Sequence, residues 1–165
     1  MRNLKRALSL ALASVMLVGM MVVGSSAASF PDVDSNDNIE AIDVLETVEV
    51  MIGNENGDFE PDKNVTRAEM AVVMAKPLNL DYKYYETTCP FNDVPDWAKG
   101  WVGACAANGI VSGRGEGVYD PNATVTAVEA AAMMLRALGY FQNAEDYDKG
   151  FEASTVAQAS RISLF

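Results

Sequence analysis

The chain has 165 residues, half of them apolar, so it has room for one ordinary domain or a few short repeats, and global disorder is excluded. It contains no histidine, which removes the commonest general base and the commonest metal ligand. The formal net charge is −11, which argues against the basic electrostatics of proteins that bind nucleic acid.

Residues 1–28 have the three-part layout of a secretory signal. Three cations precede an almost wholly apolar run over 8–23, and small residues follow over 24–28. A retained transmembrane anchor is the alternative, since the run of about 16 residues approaches the roughly 20 that a span needs. The small-residue end favours cleavage after Ala28 and therefore export.

Loss of this signal makes the remaining chain more acidic. Its three basic residues leave with it, so nine basic residues face 23 acidic ones, for a net charge of −14. Such a surface repels nucleic-acid phosphates and anionic lipid. We therefore expect a secreted protein at the cell wall or cell surface, with no nucleic-acid partner and no membrane contact after cleavage.

An internal repeat dominates the rest of the chain. The motif at 30–33, Phe-Pro-Asp-Val, recurs at 91–94 as Phe-Asn-Asp-Val, an offset of 61. At an offset of 60, three further matches are Gly53 with Gly113, Thr66 with Thr126, and Glu69 with Glu129. Chance similarity seldom keeps one register for so long, so the chain is predicted to contain two copies of one unit.

The repeat register predicts the domain organisation. The first repeat covers 29–81, a linker covers 82–90, and the second repeat covers 91–142. Residues 143–165 start a third, truncated copy, because 156–165 resemble 102–111 at an offset of 54. Units of this kind cannot bury their apolar faces alone, so neighbouring copies must stack.

Each full unit is predicted to be a helix, a loop and a second helix. The first helix is expected at about 38–51 in one copy and about 97–108 in the other, the latter with Asp96 as its N-cap. The second helix opens with Thr-x-x-Glu, at Thr66 and again at Thr126, which is the signature of a capping box. Loss of either threonine should cost about 1 kcal/mol.

Cys89 and Cys105 are the two cysteines of the chain. Export permits a disulfide between them, and closing a loop of that size would add on the order of 3 kcal/mol. The alternative is two separate thiols, with Cys105 a small apolar residue on a helix face.

The ordered set of motifs resembles the S-layer homology repeat. Its pieces are Phe30-Pro31-Asp32-Val33, Phe59-Glu60-Pro61, Thr66-Arg67-Ala68-Glu69, Trp97-Ala98 and Gly109-Ile110-Val111-Ser112-Gly113. The resemblance implies an all-α fold in which tandem helix-loop-helix repeats form a partial pseudo-threefold bundle after the N-terminal signal helix.

The resemblance also implies a function and a site. Similar proteins bind secondary cell wall polysaccharide attached to peptidoglycan, often pyruvylated, in grooves between repeats, and their arginine at the position of Arg67 contacts the acidic group. A guanidinium at a helix N-terminus suits a carboxylate, so Thr66, Arg67 and Glu69 are expected at this site. Trp97 belongs to the same expected site, and Arg114 is a second candidate cation. The second copy has Ala127 in place of the arginine.

Other chemistries fit the sequence poorly. The acidic loops lack the glycine and glutamate positions of an EF-hand, so turn chemistry explains them better than calcium. The glycines at 113–117 are not followed by a phosphate-loop pattern. We expect no metal, no cofactor and no catalytic residue, and hence no enzyme. Two alternatives remain: the anchor of a larger secreted enzyme, and a structural lattice protein with degenerate sugar grooves.

Overall fold

A computed structural model describes residues 30–34 and 38–164. The predicted signal, 1–28, lies outside these residues. The described part forms six α-helices and one 3₁₀ helix: α1 (Ile39–Thr47), α2 (Arg67–Ala75), α3 (Tyr82–Tyr85), α4 (Asp96–Ala107), α5 (Ala127–Ala137), the 3₁₀ helix (Ala144–Tyr147) and α6 (Phe151–Arg161). The all-α prediction is confirmed. No helix within the described residues has both the length and the apolar character to span a bilayer.

Both capping boxes predicted from the sequence are present. In α2 the Glu69 amide donates to the Thr66 hydroxyl at 3.2 Å, and the Glu69 carboxylate accepts from the Thr66 amide at 2.8 Å. The same pair of bonds begins α5, between Thr126 and Glu129. These local bonds satisfy orphan amides and so set where each second helix begins.

The first helices differ in detail from the prediction. α1 ends at Thr47, several residues before the predicted end, and Val48 is its C-cap. Asp96 is the first residue of α4 rather than its cap, because Pro95 takes the N-cap position with extended backbone. The Asp96 carboxylate instead accepts a hydrogen bond from Lys99 at 2.6 Å, one turn along the helix.

One core spans the two repeats. α2, from the first repeat, packs extensively against α4, from the second. Small side chains allow this close approach, since Ala71 and Ala98 are fully buried beside Val102. In the same way α6 packs against α5. Helix α4 therefore covers the second helix of the first repeat, and α6 covers the second helix of the second repeat.

The predicted disulfide is absent from the structure. Cys89 and Cys105 are both free thiols. The Cys105 sulfur is buried between α4 and α2 and donates to the Ala71 carbonyl at 3.3 Å, so its position is set by helix packing. Burial raises the pKa of this thiol to about 12, which makes its thiolate form negligible at neutral pH.

Tyrosines of the predicted linker pack against the second repeat. They form α3, which lies against α4. The Tyr82 ring stacks on Trp101 with centroids 3.8 Å apart, while Tyr84 is exposed. Gly100 permits this contact, because a Cβ there would lie 2.5 Å from the Tyr82 carbonyl oxygen.

Candidate functional site

Two clefts lie at corresponding places in the repeats. Each is bounded by the loop of one repeat, the second helix of that repeat, and the aromatic residue near the start of the next first helix. Cleft A, of about 450 Å³, is lined by residues 50–54, 59–61, 63–65, 69, 72, 73, 76 and 97. Cleft B, of about 210 Å³, is lined by residues 67, 112–114, 129, 132, 133, 136 and 151.

The repeat register relates the two linings position by position. Glu69 and Lys76 of cleft A correspond to Glu129 and Arg136 of cleft B at an offset of 60. Trp97 corresponds to Phe151 at the offset of 54. Each cleft therefore combines a glycine-containing loop, a carboxylate, a cation and an exposed aromatic ring.

A carboxylate holds the loop of each cleft in shape. The Asp93 carboxylate accepts hydrogen bonds from the amides of Tyr119, at 2.8 Å, and Asp120, at 2.7 Å. Although desolvation by burial raises the pKa of Asp93, these amide bonds more than offset it, and the pKa lies below its ordinary value. Asp32 holds the first loop by the same pair of bonds.

Arg67 lies at the floor of cleft B and is only 5% exposed. Its Nε donates to the Tyr119 carbonyl at 2.9 Å and its Nη2 donates to the Ser112 carbonyl at 2.8 Å. The guanidinium also stacks on the Tyr119 ring, 4.5 Å from the centroid. The side chain therefore joins α2 of the first repeat to the loop of the second, a structural role that the sequence analysis did not foresee.

The other predicted site residues are divided between the clefts. Trp97, which is 57% exposed, and Glu69 line cleft A. Arg114 lines cleft B, where it forms ion pairs with Asp120 at 3.3 Å and Glu129 at 3.6 Å. Thr66 is the cap of α2 and lines neither cleft among the described residues. The predicted residues are therefore divided between two neighbouring clefts.

Sequence reasoning missed three cations and one ring. Lys63 and Lys76 line cleft A, and Arg136 and Phe151 line cleft B. The repeat register was the signal that would have found three of these four residues. At the offset of 60, Lys76 matches Arg136, and at the offset of 54, Trp97 matches Phe151.

Arg136 stands over a stack of aromatic rings at the edge of cleft B. Its Nε donates to the Tyr147 hydroxyl at 3.0 Å. Tyr147 lies between Phe141, with centroids 4.5 Å apart, and Phe151, with centroids 5.8 Å apart. Such a stack holds Phe151, which is 42% exposed, in place beside the cleft.

Within the described residues no group of acidic or cysteine side chains is arranged to hold a metal ion. The clefts offer hydrogen-bond donors, aromatic faces and charge. These groups suit recognition of a polar, ring-containing ligand.

The chain matches a known protein family along about half its length. The sequence profile of the S-layer homology domain matches residues 29–71 and 90–131. The resemblance drawn from the sequence is confirmed for these two repeats.

Three relatives illustrate where such segments occur. The S-layer protein of Bacillus thuringiensis subsp. finitimus is 30% identical over 81% of this chain and 16% of its own length. The surface layer protein of Brevibacillus choshinensis is 38% identical over 58% of this chain and 9% of its own. An endoglucanase of Bacillus sp. (strain KSM-635) is 29% identical over 95% of this chain and 18% of its own. The chain thus spans less than a fifth of each of these relatives.

Proposed function

This chain belongs to the S-layer homology domain family, and on that premise we propose that it anchors an exported protein to the bacterial cell wall by binding wall polysaccharide. Members of the family are secreted proteins of the cell surface, as the names of the relatives reflect. The proposal assigns binding, and not catalysis, to residues 30–164.

The main support for the proposal is that basic side chains are concentrated in the two clefts. Of the nine basic residues after residue 28, five line the two clefts, although the same stretch is strongly acidic. They are Lys63, Arg67, Lys76, Arg114 and Arg136. An acidic protein repels an acidic polymer overall, so binding depends on cations concentrated at the contact.

Cleft B is the better match for an acidic sugar. Three guanidinium groups and one carboxylate line it, whereas cleft A has two lysines and two glutamates. A guanidinium also matches a carboxylate by two parallel hydrogen bonds, which an ammonium cannot. We assign the acidic substituent, a pyruvate ketal as the family resemblance implies, to Arg114 and Arg136 above Arg67.

Cleft A then receives a less acidic part of the polymer. Its net charge is near zero, and its exposed ring is Trp97. Indole faces stack well on the C–H faces of sugar rings. The two clefts would therefore bind different sugar residues of the same polysaccharide.

The test is retention of the purified protein on wall sacculi before and after the wall polymer is stripped. We expect retention on intact sacculi and its loss on stripped ones. Arg114→Ala should weaken binding about tenfold or more, since a hydrogen bond to a charged group contributes about 1.5–3 kcal/mol. Lys149→Ala removes a cation that lines neither cleft and serves as the matched control.

Two results would count against the proposal. Equal retention on stripped sacculi would exclude the polymer as the ligand. Normal surface assembly without measurable affinity for the polymer would favour the structural lattice alternative. The endoglucanase relative shows that an enzyme can carry such a segment, which keeps the alternative of an anchor for a larger secreted enzyme open.

A further inference from the structure

The chain contains two Asn-Gly pairs, Asn56-Gly57 in the loop of the first repeat and Asn108-Gly109 at the end of α4. An asparagine side chain that precedes glycine is open to attack by the next backbone nitrogen, because glycine has no Cβ to hinder the approach. By sequence alone the two pairs are equivalent. The structure places them in different surroundings, and these surroundings decide which pair can react.

Asn108 is fixed at the C-cap of α4. Its backbone amide and its side-chain amide both donate to the Ala104 carbonyl, at 3.1 Å and 2.9 Å, and the Gly109 amide donates to the Ala106 carbonyl at 3.0 Å. With φ −93° and ψ 9°, the backbone at Asn108 stays close to the helical region. Attack of the Gly109 nitrogen on Asn108 Cγ therefore requires the end of the helix to unwind.

Asn56 lies in an exposed turn, and its side chain is not held in this way. Among the residues that the structure describes, the Asn56 side chain has no hydrogen-bond partner. The space around Gly57 is open, since an added Cβ there would meet nothing within 4 Å. The Gly57 amide donates to the Asn54 carbonyl at 3.1 Å, but a single bond in an exposed turn opens at low cost. The attacking nitrogen and the attacked carbon are thus both accessible.

The turn around this pair is held by Asn54. Its Oδ1 accepts hydrogen bonds from the amides of Asn56, at 2.9 Å, and Asp58, at 3.0 Å. Its backbone amide donates to the Asp58 carbonyl at 2.8 Å. We call these contacts the Asn54 clamp. The two amides that share Oδ1 lie on either side of the peptide bond between residues 56 and 57, so the clamp depends on the length of main chain between them.

We propose that Asn56 is a site of spontaneous deamidation, and that its isoaspartyl product releases the Asn54 clamp. The Gly57 backbone nitrogen attacks Asn56 Cγ and forms a succinimide ring. The Cγ–Nδ2 bond breaks, and Nδ2 takes up the proton of the Gly57 amide and leaves as ammonia. Water, the co-reactant, then adds to either carbonyl of the ring, and ring opening gives aspartate or isoaspartate at position 56.

The two products differ in their effect on the loop. Isoaspartate adds a main-chain carbon between the two amides that bind Asn54 Oδ1, so both bonds cannot be kept. Because Gly53 and Asn54 line cleft A, the lining of that cleft changes with the loop. Aspartate keeps the chain length and adds only a charge, which the matching position of the second loop already carries as the exposed Glu116. Neither step involves a ligand, so this chemistry is independent of polysaccharide binding.

The test incubates the full chain in mildly alkaline buffer, once folded and once in denaturant, and follows deamidation of each pair by peptide mass spectrometry. In denaturant Asn56 and Asn108 should react at similar rates. In the folded protein Asn56 should react about tenfold faster than Asn108 or more, since only Asn108 requires a helix end to open. Equal rates in the folded protein, or an unreactive Asn56 there, would overturn the proposal. Asn56→Gln is the matched control, because its longer side chain closes the ring poorly.

Release of the clamp is measured on the separated products. Ion-exchange chromatography isolates the deamidated chains, and an isoaspartyl methyltransferase identifies isoaspartate among them. Hydrogen exchange of the Asp58 amide should be about tenfold faster in the isoaspartyl chain than in the parent, and unchanged in Asn56→Asp, which has the charge without the added carbon. Asn54→Ala removes the clamp directly and defines the exchange rate of full release. Equal exchange in the isoaspartyl chain and in Asn56→Asp would show that the clamp is not released.

Discussion

At the scale of single residues, the same arginine is open to two functional interpretations. A guanidinium near a cleft can bind a ligand carboxylate, or it can join two parts of the fold. For Arg67 the backbone bonds to Ser112 and Tyr119 assign Nε and Nη2 to the fold. Under the proposed function, Arg67 would offer a ligand its remaining Nη1 and its positive charge at the floor of cleft B.

Arg67→Ala should therefore destabilise the protein by about 2–4 kcal/mol, because it removes bonds from a buried charged group and leaves two carbonyls without a donor. Arg114→Ala should cost less than about 1 kcal/mol, since its ion pairs are partly exposed. Urea unfolding of the two variants measures both effects. Equal losses would contradict the structural role of Arg67.

The thiols provide a second test at this scale. Cys105 is fully buried and its pKa is raised to about 12, whereas Cys89 is half-buried. We expect a colorimetric thiol reagent to titrate Cys89 alone in the native protein and both cysteines in denaturant. A protein purified without reductant that shows no titratable thiol even in denaturant would contain the disulfide.

At the scale of elements, carboxylate side chains hold the loops in their conformation, as the capping residues hold the starts of the helices. Asp32 and Asp93 each receive two amide hydrogen bonds from the far end of a loop. These bonds connect segments almost thirty residues apart and shape the floor of each cleft. Gly113 is needed beside them, because a Cβ there would lie 2.5 Å from the Phe91 ring.

The lowered pKa of Asp93 makes this contribution depend on pH. A carboxyl whose pKa is lower in the folded state stabilises the fold above its ordinary value of 3.8, and this stabilisation is lost as the pH falls through the lower folded value. Asp93→Asn should therefore be less stable than the parent at pH 7, and the two should converge as the pH falls below about 4. Urea midpoints at several pH values measure this, with the exposed Asp62→Asn as control. A gap that persists at pH 2 would contradict it.

At the scale of the whole molecule, the largest buried cluster joins α2 of the first repeat to the second repeat, while Ile42 of α1 lies in a smaller cluster with Phe30 and Val33. The buried residues of the largest cluster come from both units, among them Ala71 and Met70 on α2 with Val102 and Cys105 on α4. A unit of this kind gains most of its buried area from its neighbour. The two repeats are therefore expected to unfold together.

This cooperativity can be measured with a single-tryptophan variant. Trp97→Phe leaves Trp101, which stacks on Tyr82 at the repeat junction. Its fluorescence and the far-UV circular dichroism should give the same urea midpoint, and Val102→Ala should lower both together, by about 2 kcal/mol in stability. Two separated transitions would mean that the repeats fold independently.

The sequence alone determined the features that arise from local chemistry. The capping boxes at Thr66 and Thr126 and the all-α repeat follow from hydrogen bonds and backbone limits within a few residues. Only the tertiary structure decided which side chains share a cleft, that Arg67 binds a loop 45 to 52 residues away, and that Cys105 packs on α2 instead of pairing with Cys89. These contacts depend on how one repeat is placed against the next, and that placement is set by the summed packing of many small buried side chains and by no single motif.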